Sequence, residues 1–468
     1  MGTMERSEDH TGATRVEKDS LGEMGVPVGA YYGAQTARAA ENFPISGIRF
    51  DRHCIRAIGL IMQGAAIVNH ELGLLAEPVA KAIAQAAAEV VAGKWDEHFI
   101  LDVYQTGSGT STNMNLNEVI ARRGQELLDA KGGSGRIHPN DHVNQGQSSN
   151  DVIPTAIQLA LLLIFHEELA PALGELRDAF AAKSELFWGI IKTGRTHLQD
   201  TMPIRLGQEF LGYAGQCEKA IRRLGYAEKE LCEAPLGGTA VGTATNTHPD
   251  FSRRVCAWIE KETGIPLQET DNHFQAQSCL DAVVFASGAL RTAATALMKI
   301  ANDIRWLGSG PRAGIGELEL PAVQPGSSIM PGKVNPVIAE ALIQVCAQVI
   351  GNDVVVAVGN TWGNFELNTM MPLIYLNTSQ SARLLAAASA NMSRKCIAGL
   401  KATDRGPALV ENGLMLATAL ALVLGYDRAA EIAKHAAATG KTIYEAARSM
   451  TQMPDEELRK LLDPACMT

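Results

Sequence analysis

Val337-Ile338-Ala339-Glu340-Ala341-Leu342-Ile343-Gln344-Val345-Cys346-Ala347-Gln348-Val349-Ile350-Gly351-Asn352-Asp353-Val354-Val355-Val356-Ala357-Val358 is an apolar-periodic stretch without proline. Its last five residues cover more than one helical turn with no polar side chain. A helix that is apolar all round must be buried on all sides. Four other stretches have the same texture: residues 153–187, 206–232, 281–307 and 379–400. Pro171 lies inside the first of them and predicts a kink there. Five long helices predict a mainly α protein built on a bundle. A five-helix bundle encloses only one helix completely. The remaining wide apolar faces therefore predict packing against further copies of the chain, as an obligate oligomer.

The rest of the sequence is arranged around this bundle. Pro27, Gly29, Gly33, Pro44 and Gly47 punctuate the first fifty residues. Residues 55–93 read as two helices and 113–128 as another. Beyond residue 402 the chain reads as a small helical appendage, with short helices at 426–437 and 441–450, the second opened by Thr442 and Ile443. The predicted division is a mixed, mostly helical N-terminal domain (1–146), a central long-helix domain (147–401) and a small C-terminal helical domain (402–468).

The composition fits that size. A chain of 468 residues predicts two or three domains and buries a core without disulfides. Forty-one Lys plus Arg against 51 Asp plus Glu give a net charge of −10. That balance argues against nucleic acid or an anionic membrane as the main partner, though not against a local cationic pocket. The eight cysteines form no C-x-x-C pair and read as free thiols in a reducing compartment. Residues 1–18 show no signal or transit pattern, and the longest apolar run, near 156–165, is too short for a bilayer. A cytoplasmic location is expected.

The strongest chemical signal is Gly326-Ser327-Ser328-Ile329-Met330-Pro331-Gly332-Lys333-Val334-Asn335-Pro336. Two glycines and two prolines keep it from forming helix or strand. Its small residues let backbone N–H groups converge on an anion. Two hydroxyls, an ammonium and an amide are what a dicarboxylate pocket needs, and a long irregular segment in a helical protein is usually functional.

This string resembles the signature of the fumarase/aspartase superfamily. The resemblance runs over almost the whole chain: Arg15-Val16-Glu17-Lys18-Asp19-Ser20-Leu21-Gly22-Glu23, Gln105-Thr106-Gly107-Ser108-Gly109-Thr110 with Asn113-Met114-Asn115, His138-Pro139-Asn140-Asp141, Gln147-Ser148-Ser149-Asn150-Asp151, Gly194-Arg195-Thr196-His197-Leu198-Gln199-Asp200 and Gly237-Gly238-Thr239-Ala240-Val241-Gly242-Thr243. It implies a helical homotetramer that adds or eliminates a group across the double bond of fumarate, with no metal or other cofactor. The segment from Gln147 to Asp151 separates the chain from the argininosuccinate and adenylosuccinate branches. Three positions favour the hydratases over the aspartases: Thr106-Gly107-Ser108-Gly109, His197, and Gly363-Asn364-Phe365-Glu366-Leu367-Asn368. Ala30-Tyr31-Tyr32-Gly33 and His142 also resemble aspartases. The expected activity is reversible hydration of fumarate to (S)-malate, with aspartate ammonia-lyase as the alternative. The His197 difference has a chemical basis. Ammonia leaves aspartate without outside protonation, whereas hydroxide is a very poor leaving group and needs a proton, which histidine is suited to deliver near neutrality.

The resemblance also implies roles. Ser327 is similar to the family's catalytic base; the residues alone do not separate it from Ser328. Lys333 and Asn335 would stabilise the aci-carboxylate formed when C3 loses its proton. Ser108, Thr110, Ser148, Ser149, Asn150 and Thr196 would bind the substrate carboxylates. His197 and Glu340 would polarise a water beside the departing hydroxyl. His138, Asn140 and Asp141 resemble a second anion site. His138-x-x-Asp141-His142 also admits a metal reading, but no second ligand cluster is apparent and the chemistry needs no Lewis acid. Gly107-Ser108-Gly109 lacks the Gly-Lys-Ser/Thr and βαβ context of a phosphate loop. These motifs lie far apart in a bundle whose roughly 30-residue helices would span about 45 Å. Motifs at opposite ends meet only if neighbouring subunits run antiparallel, and the resemblance implies three subunits at each site.

Overall fold

The computed structural model describes residues 13–468. Contact density divides the chain into two compact units, each assembled from three segments. One holds the residues up to Glu168 with Arg223–Arg291 and Val349–Arg383; the other holds Leu169–Arg222, Thr292–Gln348 and Leu384–Thr468.

The fold is mainly helical. The long helices are Arg52–Glu71, Thr110–Ala130, Ser149–Ile164, Ala170–Leu186, Leu206–Leu231, Asp281–Leu307, Val337–Asn360 and Met371–Met392. The strands form two-stranded sheets, among them the hairpins Thr14–Asp19 with Gly22–Pro27 and Ile191–Thr196 with Gln199–Arg205. Pro171 does not end the helical run: a π-helical turn, Phe165–Leu169, interrupts the α-helix just before it, and Ala170–Leu186 continues beyond. The last long helix starts at Met371, eight residues before the expected 379, and three short C-terminal helices join the expected two: Arg405–Glu411, Ala417–Leu424 and Asp455–Leu461. Thr442 caps Ile443–Met450 in a reciprocal box with Glu445. Leu420, Ile432, Ile443 and Leu458 give this C-terminal region a core of its own.

In the first unit the central element is Ser149–Ile164. Every residue from Asp151 to Ile164 is buried, the polar Asp151, Thr155 and Gln158 included. The Val337–Asn360 helix behaves differently. Val356 is buried, but Val354 is 61% and Val358 54% exposed within the chain. Asp353 in the same stretch accepts hydrogen bonds from Ser287 Oγ and Arg291 Nη1, each at 2.7 Å, which ties this helix to Asp281–Leu307. By length and composition, Ser149–Leu186, Asp281–Leu307 and Val337–Asn360 would suffice to cross a membrane. The apolar run near 156–165 is shorter than these helices, because mean hydropathy over a longer window tolerates the polar residues that bound the run.

A helix buried at its start needs partners for its first N–H groups. Here Ser148 Oγ accepts from Asn150 N, and Asp151 reaches back to Ser148 N at 2.9 Å. The other Asp151 oxygen accepts from Gly237 N and Thr239 N at 2.9 and 3.0 Å, binding a distant loop to the helix start. Burial pushes this carboxyl up to about 6, against backbone N–H groups that hold it down. A carboxyl raised in the native state contributes stability that is complete below its unfolded value of 3.8 and is lost as pH rises through about 6. The melting temperature of the wild type relative to Asp151→Asn is therefore expected to increase as pH falls from 7 to 4, by the equivalent of up to roughly 3 kcal/mol. A pH-independent difference would show that Asp151 does not titrate in this range.

Candidate active site

The residues singled out in the sequence fall into two groups, one in each compact unit. In the first unit, two helix N-termini carry hydroxyls. Thr110 opens Thr110–Ala130, and Ser149 opens Ser149–Ile164. Ser108 Oγ lies 2.7 Å from Thr110 Oγ1, which lies 2.7 Å from Ser149 Oγ, a continuous chain of three hydroxyls. Helix N-termini favour negative charge, and the hydroxyls can turn their protons to meet it. Asn150 donates from Nδ2 to Ala240 O at 2.8 Å, so its amide is oriented by the loop that Asp151 also holds. The expected carboxylate-binding residues Ser108, Thr110, Ser149 and Asn150 are thus brought together in one unit.

Asn140 and Asp141 lie on a π-helical turn, Pro139–Val143, in the same unit, and His138 caps its start. His138 Nδ1 accepts from the N–H groups of Asn140 and Asp141 and stands 3.3 Å from Asp141 Oδ2. His142 Nδ1 accepts from His138 N at 2.9 Å. These imidazole nitrogens hold the backbone of the turn. The turn is in addition secured by Asn144, whose Oδ1 accepts from both Asn113 Nδ2 and Asn117 Nδ2 at 3.1 Å.

The second unit holds Thr196, His197, Ser327, Lys333, Asn335 and Glu340. The Gly326–Pro336 segment is closed on itself. Gly326 N donates to Lys333 O at 2.9 Å, and Asn335 Nδ2 donates to Gly326 O at 2.6 Å. A side chain at Gly326 would place its Cβ 2.3 Å from Lys333 O, so only glycine permits this closure. Within the loop Ser327 Oγ accepts from Ile329 N at 3.2 Å and Met330 N at 3.1 Å. Two N–H donors on one hydroxyl oxygen favour its ionised form. Among the described residues, the exposed Lys333 makes no ion pair. Glu340 lies in the first turn of Val337–Asn360 and faces Arg305 Nη2 at 4.0 Å.

His197 and Leu198 are the two residues of a hairpin turn, with Thr196 paired to Gln199 across it. Both have left-handed backbones, φ 54° and 60°, and both are exposed. Two consecutive residues with positive φ match the twist of the flanking strands, but they are usually Asn-Gly. A His-Leu pair carries no turn signal, which is why sequence reasoning read no hairpin here. Sequence reasoning also missed the charge cluster at the hairpin's base, the buried Lys192 and Glu317 with the half-buried Arg195 and Glu209, in which Lys192 Nζ lies 2.7 Å from Glu209 and 2.9 Å from Glu317. Residues so far apart in sequence give no local pattern to find.

Comparison with known proteins was then decisive for the family. Residues 22–351 match the family model described as lyase, and residues 416–468 match that described as fumarase C C-terminus. The chain is 52% identical to a class II fumarate hydratase of Halobacterium salinarum, over 99% of this chain and 98% of that one. It is 51% identical to one from Nitrosomonas europaea, over 97% and 99%. The fold superimposes on the crystal structure of a recombinant class II fumarase from Schistosoma mansoni with a TM-score of 0.94 at 37% identity, covering 97% of this chain and 99% of that chain. The chain with the serine loop and the histidine turn belongs to the lyase family and, within it, to the class II fumarate hydratases, hydro-lyases that interconvert fumarate and malate.

Proposed function

We propose that Ser327 is the base that removes the C3 proton of malate. The observation that carries this is the pair of backbone N–H groups, from Ile329 and Met330, on its Oγ. They would stabilise an alkoxide, with the Lys333 ammonium six residues on adding positive charge. Among the described residues no N–H group donates to the Ser328 hydroxyl in this way, so the choice within the serine pair falls on Ser327. The electrons left at C3 pass into the adjacent carboxylate, where Lys333 and Asn335 offset the second negative charge. Ser108, Thr110, Ser148, Ser149, Asn150 and Thr196 hold the substrate carboxylates. His197, with Glu340, polarises a water that gives the C2 hydroxyl its proton as it leaves. Hydration of fumarate runs the same steps backwards. His138, Asn140 and Asp141 form a second anion site in this proposal.

The working enzyme in this reading is a cytoplasmic homotetramer whose sites draw on several subunits. The exposed Val354 and Val358 supply apolar surface for other copies to cover, and the exposed Thr196 and His197 would gain their surroundings from another subunit. Six of the eight cysteines are buried free thiols, in keeping with a reducing compartment.

Ser327→Ala is expected to lower turnover by about 10²–10⁴-fold while the oligomer and fold persist. Inactivity explained wholly by dissociation or unfolding would remove Ser327 from the role of base. His197→Asn is expected to fall comparably in malate dehydration with a milder effect on dicarboxylate binding; asparagine tolerates the left-handed backbone, so the turn survives. Wild-type turnover in this variant would end the proton-delivery reading. When the two inactive variants are mixed and allowed to exchange subunits, roughly a quarter of sites should regain both groups if they come from different chains. Verified hybrid tetramers without activity would place both residues on one chain at each site, or refute their roles. Turnover should also persist after prolonged chelation; loss restored by one specific divalent ion would revive His138 and Asp141 as ligands.

A further inference from the structure

Four charged side chains meet beneath the hairpin that carries His197. Lys192 on its first strand and Glu317 are each only 1% exposed. Lys192 Nζ lies 2.7 Å from Glu209 Oε1 and 2.9 Å from Glu317 Oε2. The second Glu317 oxygen lies 2.6 Å from Arg195 Nη2. Two cations and two anions cancel. The desolvation of buried charges largely offsets their attraction, so such a cluster is a poor route to stability. It is a good route to fixed geometry, because the four form a chain, Glu209–Lys192–Glu317–Arg195, whose two inner members are each held from both sides.

The geometry in question is that of the turn. Arg195 stands two residues before His197. The strand register slips between Thr193 and Arg195, and a Cβ at Gly194 would stand 2.7 Å from Met202 O. Beyond this bulge the ladder consists of only two pairs, Arg195 with Asp200 and Thr196 with Gln199. A bulge re-aims what lies past it but weakens its backbone support. The tip also carries two non-glycine residues in left-handed conformations, which persist only when the surroundings over-determine them. Arg195 is the side chain placed to supply that support, and Glu317 is what holds Arg195.

Glu317 is itself firmly seated. Its carbonyl accepts from Thr403 N at 3.0 Å, and Gly316 O accepts from Thr403 Oγ1 at 2.6 Å. The next residues, Leu318 and Glu319, pair with Ala402 and Lys401. Glu317 also lies ten residues before Ser327, in the segment that leads into the serine loop.

We propose that Glu317, acting through Arg195, is a positioning residue that fixes the His197 turn for the hydratase reaction. This rests on the reading of His197 as the group that helps protonate the leaving hydroxyl. Glu317→Gln in the assembled enzyme should lower kcat for malate about 10–100-fold, with KM changed less than about threefold, because every group assigned to the substrate carboxylates except Thr196 lies outside this hairpin. The deciding measurement is the double variant. If Glu317 works through His197, then adding Glu317→Gln to His197→Asn should cost less than about a further threefold. The same 10–100-fold loss in both backgrounds, a change confined to KM, or an unaltered kcat would each overturn the proposal. If His197→Asn alone retains wild-type turnover, it is the reading of His197 that fails. Glu317→Gln leaves an excess buried cation, so Lys192→Met with Glu317→Gln provides a charge-balanced version of the same cycle. If neither version folds, the cluster is required for stability and the positioning proposal is overturned.

Discussion

A helix buried on every side can begin only where its first amides have partners. Ser149–Ile164 is such a helix, and the residues that satisfy its start stand beside the chain of hydroxyls from Ser108, Thr110 and Ser149. Ser148 and Asp151 close the first turn, and Asp151 extends the closure to Gly237 and Thr239. The hydroxyls of Ser149, Thr110 and Ser108 follow from this frame. A conflict between burial and polarity at one helix end is thus resolved by side chains that leave several proton donors in one place.

The chemistry uses the same economy elsewhere. The serine loop satisfies its backbone internally, with Gly326, Lys333 and Asn335 closing it and Ser327 Oγ receiving two of its amides. Irregular backbone costs little when its polar groups are paired in this way. The histidine turn is held by a different device, buried charge at its base. Both elements lie in one compact unit, and the hydroxyl chain lies in the other.

The long helices were legible in the sequence because periodic apolar residues continue for many turns, so that even Asp281–Leu307 was bounded at both ends. Met371–Met392 was placed eight residues late, at 379–400, because the polar Asn377 and Thr378 interrupt the apolar pattern; in the fold Thr378 is buried and its Oγ1 donates to Ile374 O, while the α-helix gives way to a π-helical turn at Ser393–Ile397. Arg405–Glu411 escaped notice because Gly406 and Pro407 sit in its first turn. The serine loop was legible through its composition. What composition could not show was which serine oxygen receives amides, or that Lys192 and Glu317, charged residues ordinarily found at the surface, are interior. Such facts belong to tertiary structure, where residues more than a hundred positions apart share a site.

The interleaving of the two units bears on how the chain is made. Each unit collects three stretches of sequence, and the unit that begins at the N-terminus is not complete until Arg383. A ribosome therefore releases most of the polypeptide before that unit's last segment arrives. During this time the helix Ser149–Ile164 has its earlier partners, Arg52–Glu71 and Thr110–Ala130, but still lacks the later Glu233–Ala234 and His273–Ser278 that complete its burial. Synthesis of this protein thus passes through long incomplete chains rich in exposed apolar helix, which makes prompt completion or chaperone cover part of its biogenesis. For the same reason, a cut at a unit border would sever a helix or strand one unit from a later segment, so the chain does not offer the modular domains that truncation or fusion usually exploits.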